Sequence, residues 1–149
     1  MTTGDSGSAR IPLQVSQDCV VASVQVDLRP DVLTNLQTDL LELIRESGAR
    51  AVIIDLSGVD TIDPEEFRAL LRATEMAQLM GALPVLSGLN AGVVSSLVDL
   101  DVEFGDIAAT RTLDGAFAYV NEAGAPLRER SERGGVMKED DDPDDPDPR

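Results

Sequence analysis

The sequence contains no histidine, no tryptophan and one cysteine, and aromatic residues make up only 3% of its 149 positions. Without histidine, neither Ser-His-Asp nor Cys-His catalytic arrangements nor imidazole metal ligands can form. The single cysteine, Cys19, excludes an intrachain disulfide, and its apolar surroundings predict a buried rather than a reactive thiol. No phosphate-binding pattern of the GxGxxG or GxxxxGK[ST] kind occurs. We therefore expect no enzyme activity, no cofactor and no metal.

Basic residues are also scarce, since 12 Lys and Arg against 28 Asp and Glu give a net charge of −16. Such a chain repels the phosphates of nucleic acids and of anionic lipids, so a basic protein surface is the more natural partner. No apolar run approaches the roughly 18 residues that span a bilayer. The first ten residues lack the basic and apolar parts of a signal peptide. We expect a cytoplasmic protein that binds neither nucleic acid nor membrane.

Short β-branched runs alternate along the chain with segments whose apolar residues recur every three or four positions. The predicted elements, in order, are a hairpin of strands Ile11–Ser16 and Cys19–Val26 turning at Gln17 and Asp18, a helix from Pro30 to about Ser47, a strand at Ala51–Leu56, a helix from Pro64 to about Gly81, a strand at Leu83–Ser87, a helix from about Ala91 to Leu100, a weak edge strand around Phe104–Ala108 and a helix at Thr112–Asn121. Strands that alternate with helices imply parallel crossovers, to which the hairpin adds an antiparallel edge. The sequence predicts an α/β fold with a mixed, mainly parallel sheet of four to five strands and about four packed helices.

One domain with two flanking segments accounts for the whole chain. Residues 1–10 are predicted to be a flexible N-terminus and residues 11–122 a single domain, close to the usual size of about 100–150 residues. From Ala123 onwards, Pro, Gly and charged residues dominate, and the chain ends EDDDPDDPDPR. Such a segment cannot bury enough apolar surface to offset the entropy of ordering. We predict that residues 123–149 are a disordered, solvated acidic tail.

The most distinctive local pattern is the start of the helix at Pro64. Asp63 can cap the helix, proline suits the first helical position, and Glu65 and Glu66 face the positive end of the dipole. Asp63 and Glu66 also have the spacing of a capping box. The loop and helix start are the best candidate for a partner-binding surface, which comprises Ser57, Asp60, Thr61, Asp63, Pro64, Glu65 and Glu66.

A family resemblance is carried by residues 55–64, which read DLSGVDTIDP. This run resembles the D-[IL]-[ST]-x-[VL]-x-x-[IVM]-D-S stretch of STAS domains, the fold of bacterial anti-sigma-factor antagonists. In that family the final Ser or Thr is phosphorylated by a partner kinase. The following segment, Glu75–Ala82, is similar to the small scaffold proteins of the stressosome (RsbS type), and the resemblance extends from about Ile11 to Val120. It implies the STAS fold for residues 11–122, with Pro64 at the phosphorylated position, where no phosphate can be placed.

The loss of the family serine leaves three hypotheses open. A phosphate at this helix start would sit on backbone N–H groups at the positive dipole end. The permanent charges of Glu65 and Glu66 could imitate that state and hold the domain in its released form. Alternatively, the domain is an unswitchable scaffold, which the smaller charge and fewer acceptor atoms of a carboxylate favour. Thirdly, Asp-Pro-Glu-Glu could simply be a good helix start.

A second phosphorylation position exists in larger stressosome relatives, on a helix after a G-[IL]-x-P-x-[IV]-A-x-T stretch. The segment Gly88–Ser96 resembles it loosely and puts Ser96 on the matching threonine, with Ser95 beside it. Thr61 is a further hydroxyl in the loop. The resemblance thus makes Ser96, Ser95 and Thr61 candidate phosphorylation sites.

The resemblance implies a non-enzymatic stressosome scaffold or anti-sigma-factor antagonist in the general stress, sigma-factor partner-switching pathway. Its expected partners are a serine/threonine switch-protein kinase or an anti-sigma factor, together with larger STAS homologues in a high-order homo- or hetero-oligomer. Two alternatives stay open: a monomeric antagonist or adaptor that binds a single anti-sigma factor, and an accessory STAS domain that binds a small ligand or lipid. The chain lacks a distinctive apolar groove pattern or a basic membrane-anchoring patch, which weakens the last alternative.

Overall fold

The computed structural model describes residues 10–99 and 107–123, and within them the chain forms five strands and four helices. The strands are β1 (Leu13–Ser16), β2 (Cys19–Ser23), β3 (Ala51–Asp55), β4 (Leu83–Ser87) and β5 (Ala108–Thr110). The helices are α1 (Pro30–Ser47), α2 (Pro64–Leu79), α3 (Ala91–Asp99) and α4 (Leu113–Ala123).

The five strands form one sheet in which the spatial order β1-β2-β3-β4-β5 equals the order along the chain. β1 is antiparallel to β2, and every other neighbouring pair is parallel. The hairpin turns through Gln17 and Asp18, both with positive φ (53° and 63°), as a two-residue turn that follows the twist of its strands requires. The predicted α/β fold with a mixed, mainly parallel sheet and an opening hairpin is confirmed.

Helices cover both faces of the sheet, and the two cores differ in size. The larger core lies between the sheet and the helices α1, α2 and α3, with Phe67, Leu36 and Leu97 fully buried in it. The smaller core lies under α4 alone, where Ala116 and Val120 pack on the alternate strand positions. Because both faces are covered, the central strands are apolar at nearly every position, as expected for buried parallel strands.

Helix boundaries follow the proline and glycine positions closely. Pro30 and Pro64 occupy the first turns of α1 and α2, as predicted. Gly48 ends α1 in the left-handed conformation (φ 67°), and its N–H donates to the carbonyl oxygen of Ile44 at 2.9 Å. The predicted strand Leu83–Ser87 matches β4 at both ends.

The opening strands are shorter than predicted. β1 begins at Leu13 rather than Ile11, because Pro12 has no N–H to donate to the ladder. β2 ends at Ser23 rather than Val26, since the neighbouring β3 ends at Asp55, whose carbonyl oxygen accepts one last bond from the N–H of Val24 at 3.0 Å. β3 itself ends at Asp55, one residue before the predicted limit, although the N–H of Leu56 still donates to the carbonyl oxygen of Ser87 at 2.8 Å.

The last strand and helix are displaced from the prediction. β5 lies at Ala108–Thr110 rather than around Phe104–Ala108, and residues 104–106 are outside the described part of the chain. The final helix begins at Leu113, because Thr112 serves as its cap and accepts from the N–H of Gly115 at 3.0 Å. Residues 1–9 and 124–149 also lie outside the described residues, so the flexible N-terminus and the acidic tail stay predictions.

Candidate functional site

Residues 57–66, which we call the acidic loop, join the carboxyl end of β3 to the first turn of α2. β2, β3, β4 and β5 are parallel, so the loops that follow them lie at the same edge of the sheet. In open α/β sheets this edge is where ligands and partners are usually bound. The fold therefore places the acidic loop centrally at that edge, between the loops after β2 and β4.

Two glycines let the neighbouring loops approach the acidic loop closely. Gly88 has a φ of +78°, and a Cβ there would lie 2.8 Å from the backbone nitrogen of Ser57. A Cβ at Gly58 would lie 3.1 Å from the carbonyl oxygen of Val24. The distance at Gly88 is shorter than real Cβ contacts and the one at Gly58 is tighter than most of them, so the absence of side chains lets these loops approach closely.

Hydrogen bonds then fix the conformation of the acidic loop. The N–H of Ser57 donates to Oδ1 of Asp55 at 3.1 Å. Asn90 links the loop to α3, because its Nδ2 donates to the carbonyl oxygen of Val59 at 2.8 Å while its Oδ1 accepts from the N–H of Val93 at 2.9 Å. Asparagine is a favoured helix cap, but no pattern in the sequence indicates the bridge from Asn90 to a loop about thirty residues earlier.

The start of α2 is a capping box, as predicted. Oδ1 of Asp63 accepts from the N–H of Glu66 at 2.8 Å, and Oε1 of Glu66 accepts from the N–H of Asp63 at 3.1 Å. Pro64 fills the first helical turn, where its missing N–H leaves no bond unmade. Glu65 instead points outward: its side chain is 84% exposed and lies 3.4 Å from Arg68. The carboxylates of Asp63 and Glu66 thus hold the backbone of the helix start, and the carboxylate of Glu65 remains available at the surface.

The structure brings the seven predicted partner-binding residues into one surface segment. The exposed members are Ser57, Asp60, Thr61, Asp63 and Glu65, and the half-buried ones are Pro64 and Glu66. Between them Ile62 is buried, with 3% of its surface exposed, and anchors the segment in the larger core. The outward carboxylates of Asp60 and Glu65 give this surface a negative charge.

An open groove of about 590 Å³ runs beside the acidic loop, between the N-terminal halves of α1 and α2. Its apolar lining includes Leu28, Leu33 and Ala69, and its charged lining includes Arg29 and Arg72 together with the carboxylates of the α2 start. No local sequence pattern predicts this groove, because it depends on the side-by-side packing of two helices that are distant in the chain. The apolar faces of both helices indicate that each packs on the sheet, but they do not indicate that the two helices lie side by side.

The candidate phosphorylation site on α3 lies near the acidic loop. Ser95 is exposed, whereas Ser96 is half-buried. The first turn of α3 adjoins the loop, since a Cβ at Gly92 would lie 3.6 Å from the carbonyl oxygen of Asp60. The structure thus brings the two segments together, and it leaves Ser95 more accessible than Ser96, the residue that the resemblance favours.

Cys19 lies at the start of β2, at the opposite edge of the sheet from the acidic loop, and is fully buried. Burial raises the pKa of its thiol, Asp18 raises it further, and Arg50 acts in the lowering direction. Residues 10–99 and 107–123 contain no group of three or more Cys, Asp or Glu side chains placed to hold a metal ion. Among the helices of these residues, none combines the length and apolar character needed to cross a membrane.

Comparisons with known proteins agree on one family. The sequence model of the STAS domain matches residues 10–116. The RsbT co-antagonist protein RsbRA of Bacillus subtilis (strain 168) is 24% identical over 78 residues, which cover 52% of this chain and 28% of that protein. The chain therefore spans little more than a quarter of the length of this curated relative.

Solved structures share the fold at low sequence identity. The RsbS protein of Moorella thermoacetica, in a variant with a serine replaced by glutamate, matches with a TM-score of 0.67 at 21% identity, over 77% of this chain and 97% of that one. A chain from a structure of the stressosome, described as a signal integration and transduction hub, matches with a TM-score of 0.67 at 20% identity, over 75% of this chain and 97% of that one.

Proposed function

Because the chain belongs to the STAS domain family, we propose that it is a non-enzymatic regulator that acts by partner switching. It is a stressosome scaffold or anti-sigma-factor antagonist that binds and sequesters a serine/threonine switch-protein kinase. The acidic loop is the contact surface, and larger STAS homologues join the chain in a high-order assembly. The similarity to an RsbT co-antagonist and to a stressosome chain supports this proposal.

The observation that carries the proposal is the hydrogen-bonded, negatively charged surface of the acidic loop. Asn90 and the capping box hold the loop backbone, while Asp60 and Glu65 project outward. A preorganised charged surface binds a complementary basic surface without first having to order its own chain. The adjoining groove between α1 and α2 extends this surface with apolar lining and gives a partner side chain a place to dock.

We propose further that this loop is not switched by phosphorylation and does not imitate a phosphorylated loop. Pro64 has no hydroxyl group to receive a phosphate. Asp63 and Glu66 bond to backbone N–H groups of their own helix start, so their charges are partly neutralised there. Glu65 alone is a poor copy of a dianionic phosphate. These points favour a permanent scaffold whose partner release is controlled elsewhere.

Charge reversal on the acidic loop tests the contact surface. We expect Asp60→Lys with Glu65→Lys to weaken binding of the source organism's switch-protein kinase by about tenfold or more, because like charges then face each other. The matched control is Glu42→Lys with Glu46→Lys on the C-terminal half of α1, which changes the net charge equally at exposed sites. Equal affinity of the loop variant and the wild-type protein in calorimetry would exclude the loop as the contact.

Restoring the family hydroxyl tests the lost switch. In Pro64→Ser the resemblance predicts phosphorylation by the kinase, seen by mass spectrometry, together with a change in kinase affinity. A variant that the kinase does not phosphorylate would show that the loop is not its target in this protein.

Light scattering of the chain with a larger STAS homologue tests assembly separately. A megadalton-scale species supports the scaffold, and a species of the mass of a monomer or dimer contradicts it.

A further inference from the structure

β1 is an edge strand, and within the described part of the chain its outer side pairs with no other strand. On its inner side it pairs with β2, and the N–H of Ser23 donates to the carbonyl oxygen of Pro12 at 3.2 Å. In an antiparallel pair, the backbone groups of successive residues point alternately toward and away from the neighbouring strand. The N–H and C=O groups of Leu13 and Val15 therefore point away from β2, at the open edge of the sheet.

The residues of β1 do little to prevent a further strand from pairing with this edge. Edge strands commonly carry charged residues or prolines that discourage such pairing. β1 reads Leu-Gln-Val-Ser and contains neither. Val15 is 47% exposed, although Val20, its neighbour across the hairpin, is fully buried in the larger core. An extended segment that paired with β1 would cover the side chain of Val15.

A groove of about 380 Å³ lies beside this edge, between β1 and the C-terminal half of α1. We call it the edge groove. Its apolar lining is formed by Ile11, Leu13 and Leu43, and its acidic lining by Asp39, Glu42 and Glu46. The three acidic residues have the i, i+3, i+7 spacing of one helix side. The open strand edge thus lies next to a row of carboxylates.

The carboxylates of the edge groove outnumber its cations. Arg10, the one basic residue of the lining, pairs with Asp39 at 2.6 Å. Glu42 lies 3.9 Å from Arg45, a long distance for an ion pair, and 57% of its side chain is exposed. Glu46 is exposed and has no ion pair among the described residues. Two carboxylates therefore remain available to attract a positively charged partner.

We propose that the edge groove binds a basic, extended segment of a partner protein, which joins the sheet as a further strand beside β1. Its backbone pairs with the outward groups of Leu13 and Val15. Because successive side chains of a strand point to opposite faces, every second side chain enters the groove. Lysine or arginine suits these positions. The aliphatic stem packs on Leu43, and the charged end reaches Glu42 and Glu46.

A basic segment is the occupant that the charges favour. A second copy of this chain, with its net charge of −16, would bring further negative charge to the acidic lining. The edge groove lies on the β1 side of α1, whereas the groove beside the acidic loop lies between α1 and α2. The contact is therefore separate from the kinase contact proposed above, and it adds a second binding surface to the domain.

A blocked nine-residue peptide of alternating lysine and valine is the probe. We expect a dissociation constant of about 0.1 to 1 mM for the full chain, because β1 is short and offers few backbone bonds of small net strength. In NMR hydrogen exchange, saturating peptide should slow the amide hydrogens of Leu13 and Val15 several-fold. The amides of Gln14 and Ser16, which face β2, should not change. A peptide that leaves all four rates unchanged overturns the proposal.

N-methylated peptides distinguish strand pairing from simple charge attraction. One peptide is methylated on every lysine nitrogen and the other on every valine nitrogen, so each lacks the N–H donors of one of its two edges, and their charges are equal. Only one of the two should bind, namely the peptide whose unmodified edge faces β1. Binding of both peptides, or of neither, would contradict the added strand.

Charge reversal locates the contact. Glu42→Lys with Glu46→Lys should weaken peptide binding by about tenfold or more, whereas Asp60→Lys with Glu65→Lys, equal in charge, should weaken it much less. The two pairs exchange the roles that they have in the kinase experiment, so failure of one proposal is distinguishable from failure of the other. Equal effects of both pairs on the peptide overturn the edge groove as its site. So does a dimer of the chain alone that Val15→Lys dissociates, because a second copy would then occupy the edge.

Discussion

Gly88 is the residue that lets the loop after β4 touch the acidic loop. Its φ of +78° belongs to the left-handed region, and its missing side chain leaves room for the backbone of Ser57. A residue with a side chain is therefore disfavoured at this position for two reasons: the backbone angle φ is positive, and a Cβ would clash with Ser57. These two restrictions can be measured separately.

We predict that Gly88→Ala lowers the free energy of unfolding by about 2 kcal/mol or more, because it adds a contact of sub-van-der-Waals length to left-handed strain. Gly48→Ala is the control, since Gly48 has a φ of +67° but a Cβ there meets no atom within 4 Å. It should cost only about 1 kcal/mol, for the backbone angle alone. Urea unfolding of both variants gives the comparison, and equal costs would show that the contact with Ser57 is unimportant.

Cys19 makes the stability of the protein depend on pH in the alkaline range. Burial raises the pKa of its thiol in the folded state above the ordinary value of 9.0, with Asp18 raising and Arg50 lowering it. Below pH 9 both states keep the proton, so the full stability is present. Above it the unfolded chain ionises first, and stability falls until the pH passes the folded-state pKa.

We therefore expect the free energy of unfolding to fall more steeply above pH 9 in the wild-type protein than in Cys19→Ala. The difference in slope is up to about 1.4 kcal/mol per pH unit, the value for one proton. Denaturant unfolding of both proteins from neutral pH to pH 10.5 measures this difference. The contributions of the other titratable groups are common to both proteins and cancel in the comparison. Parallel curves would contradict a raised pKa for Cys19.

At the scale of secondary structure, the capping box sets the start of α2 and thereby the geometry of the acidic loop. We predict that Asp63→Ala destabilises the protein by about 1 kcal/mol, because the N–H of Glu66 loses its acceptor. Asp63→Asn should retain most of the stability, since asparagine caps equally well. Glu65→Ala should change the free energy of unfolding by less than about 0.5 kcal/mol, because its ion pair is exposed. Thermal unfolding of the three variants tests this order.

How far the sequence predicts an element depends on where its determinants lie. The start of α2 is encoded locally by Asp63, Pro64 and Glu66, and the structure confirms it. The end of β2 was predicted too late, because the extent of a strand depends on its neighbour in space. Likewise, nothing near Asn90 in the sequence indicates its bond to Val59, which exists only after β3 and β4 have paired.

For the whole molecule, the net charge of −16 predicts that salt affects the association with a basic partner. Added salt shortens the Debye length from about 10 Å at 0.1 M to about 3 Å at 1 M. Binding of a basic kinase surface to the acidic loop should therefore weaken as salt is added.

Dissociation constants of the kinase complex at low and high salt, measured by calorimetry, test this expectation. We expect the dissociation constant to rise several-fold between about 0.05 M and 0.5 M salt. Glu42→Lys with Glu46→Lys, which lowers the net negative charge by four units away from the acidic loop, should change this salt dependence less than Asp60→Lys with Glu65→Lys does. A dissociation constant that does not change with salt would show that charge does not govern the contact.

The arrangement of one helix against three on the two faces of the sheet has a consequence for biosynthesis. Because the strand order equals the chain order, each strand can join the sheet as it leaves the ribosome, next to the one made before it. Among the described elements, however, α4 is the one that covers the face holding Val21, Ile53 and Val85, and it is the last of the described helices to be made. A nascent or prematurely ended chain that stops before Leu113 leaves this apolar face exposed to water, and we expect such a chain to be prone to aggregation.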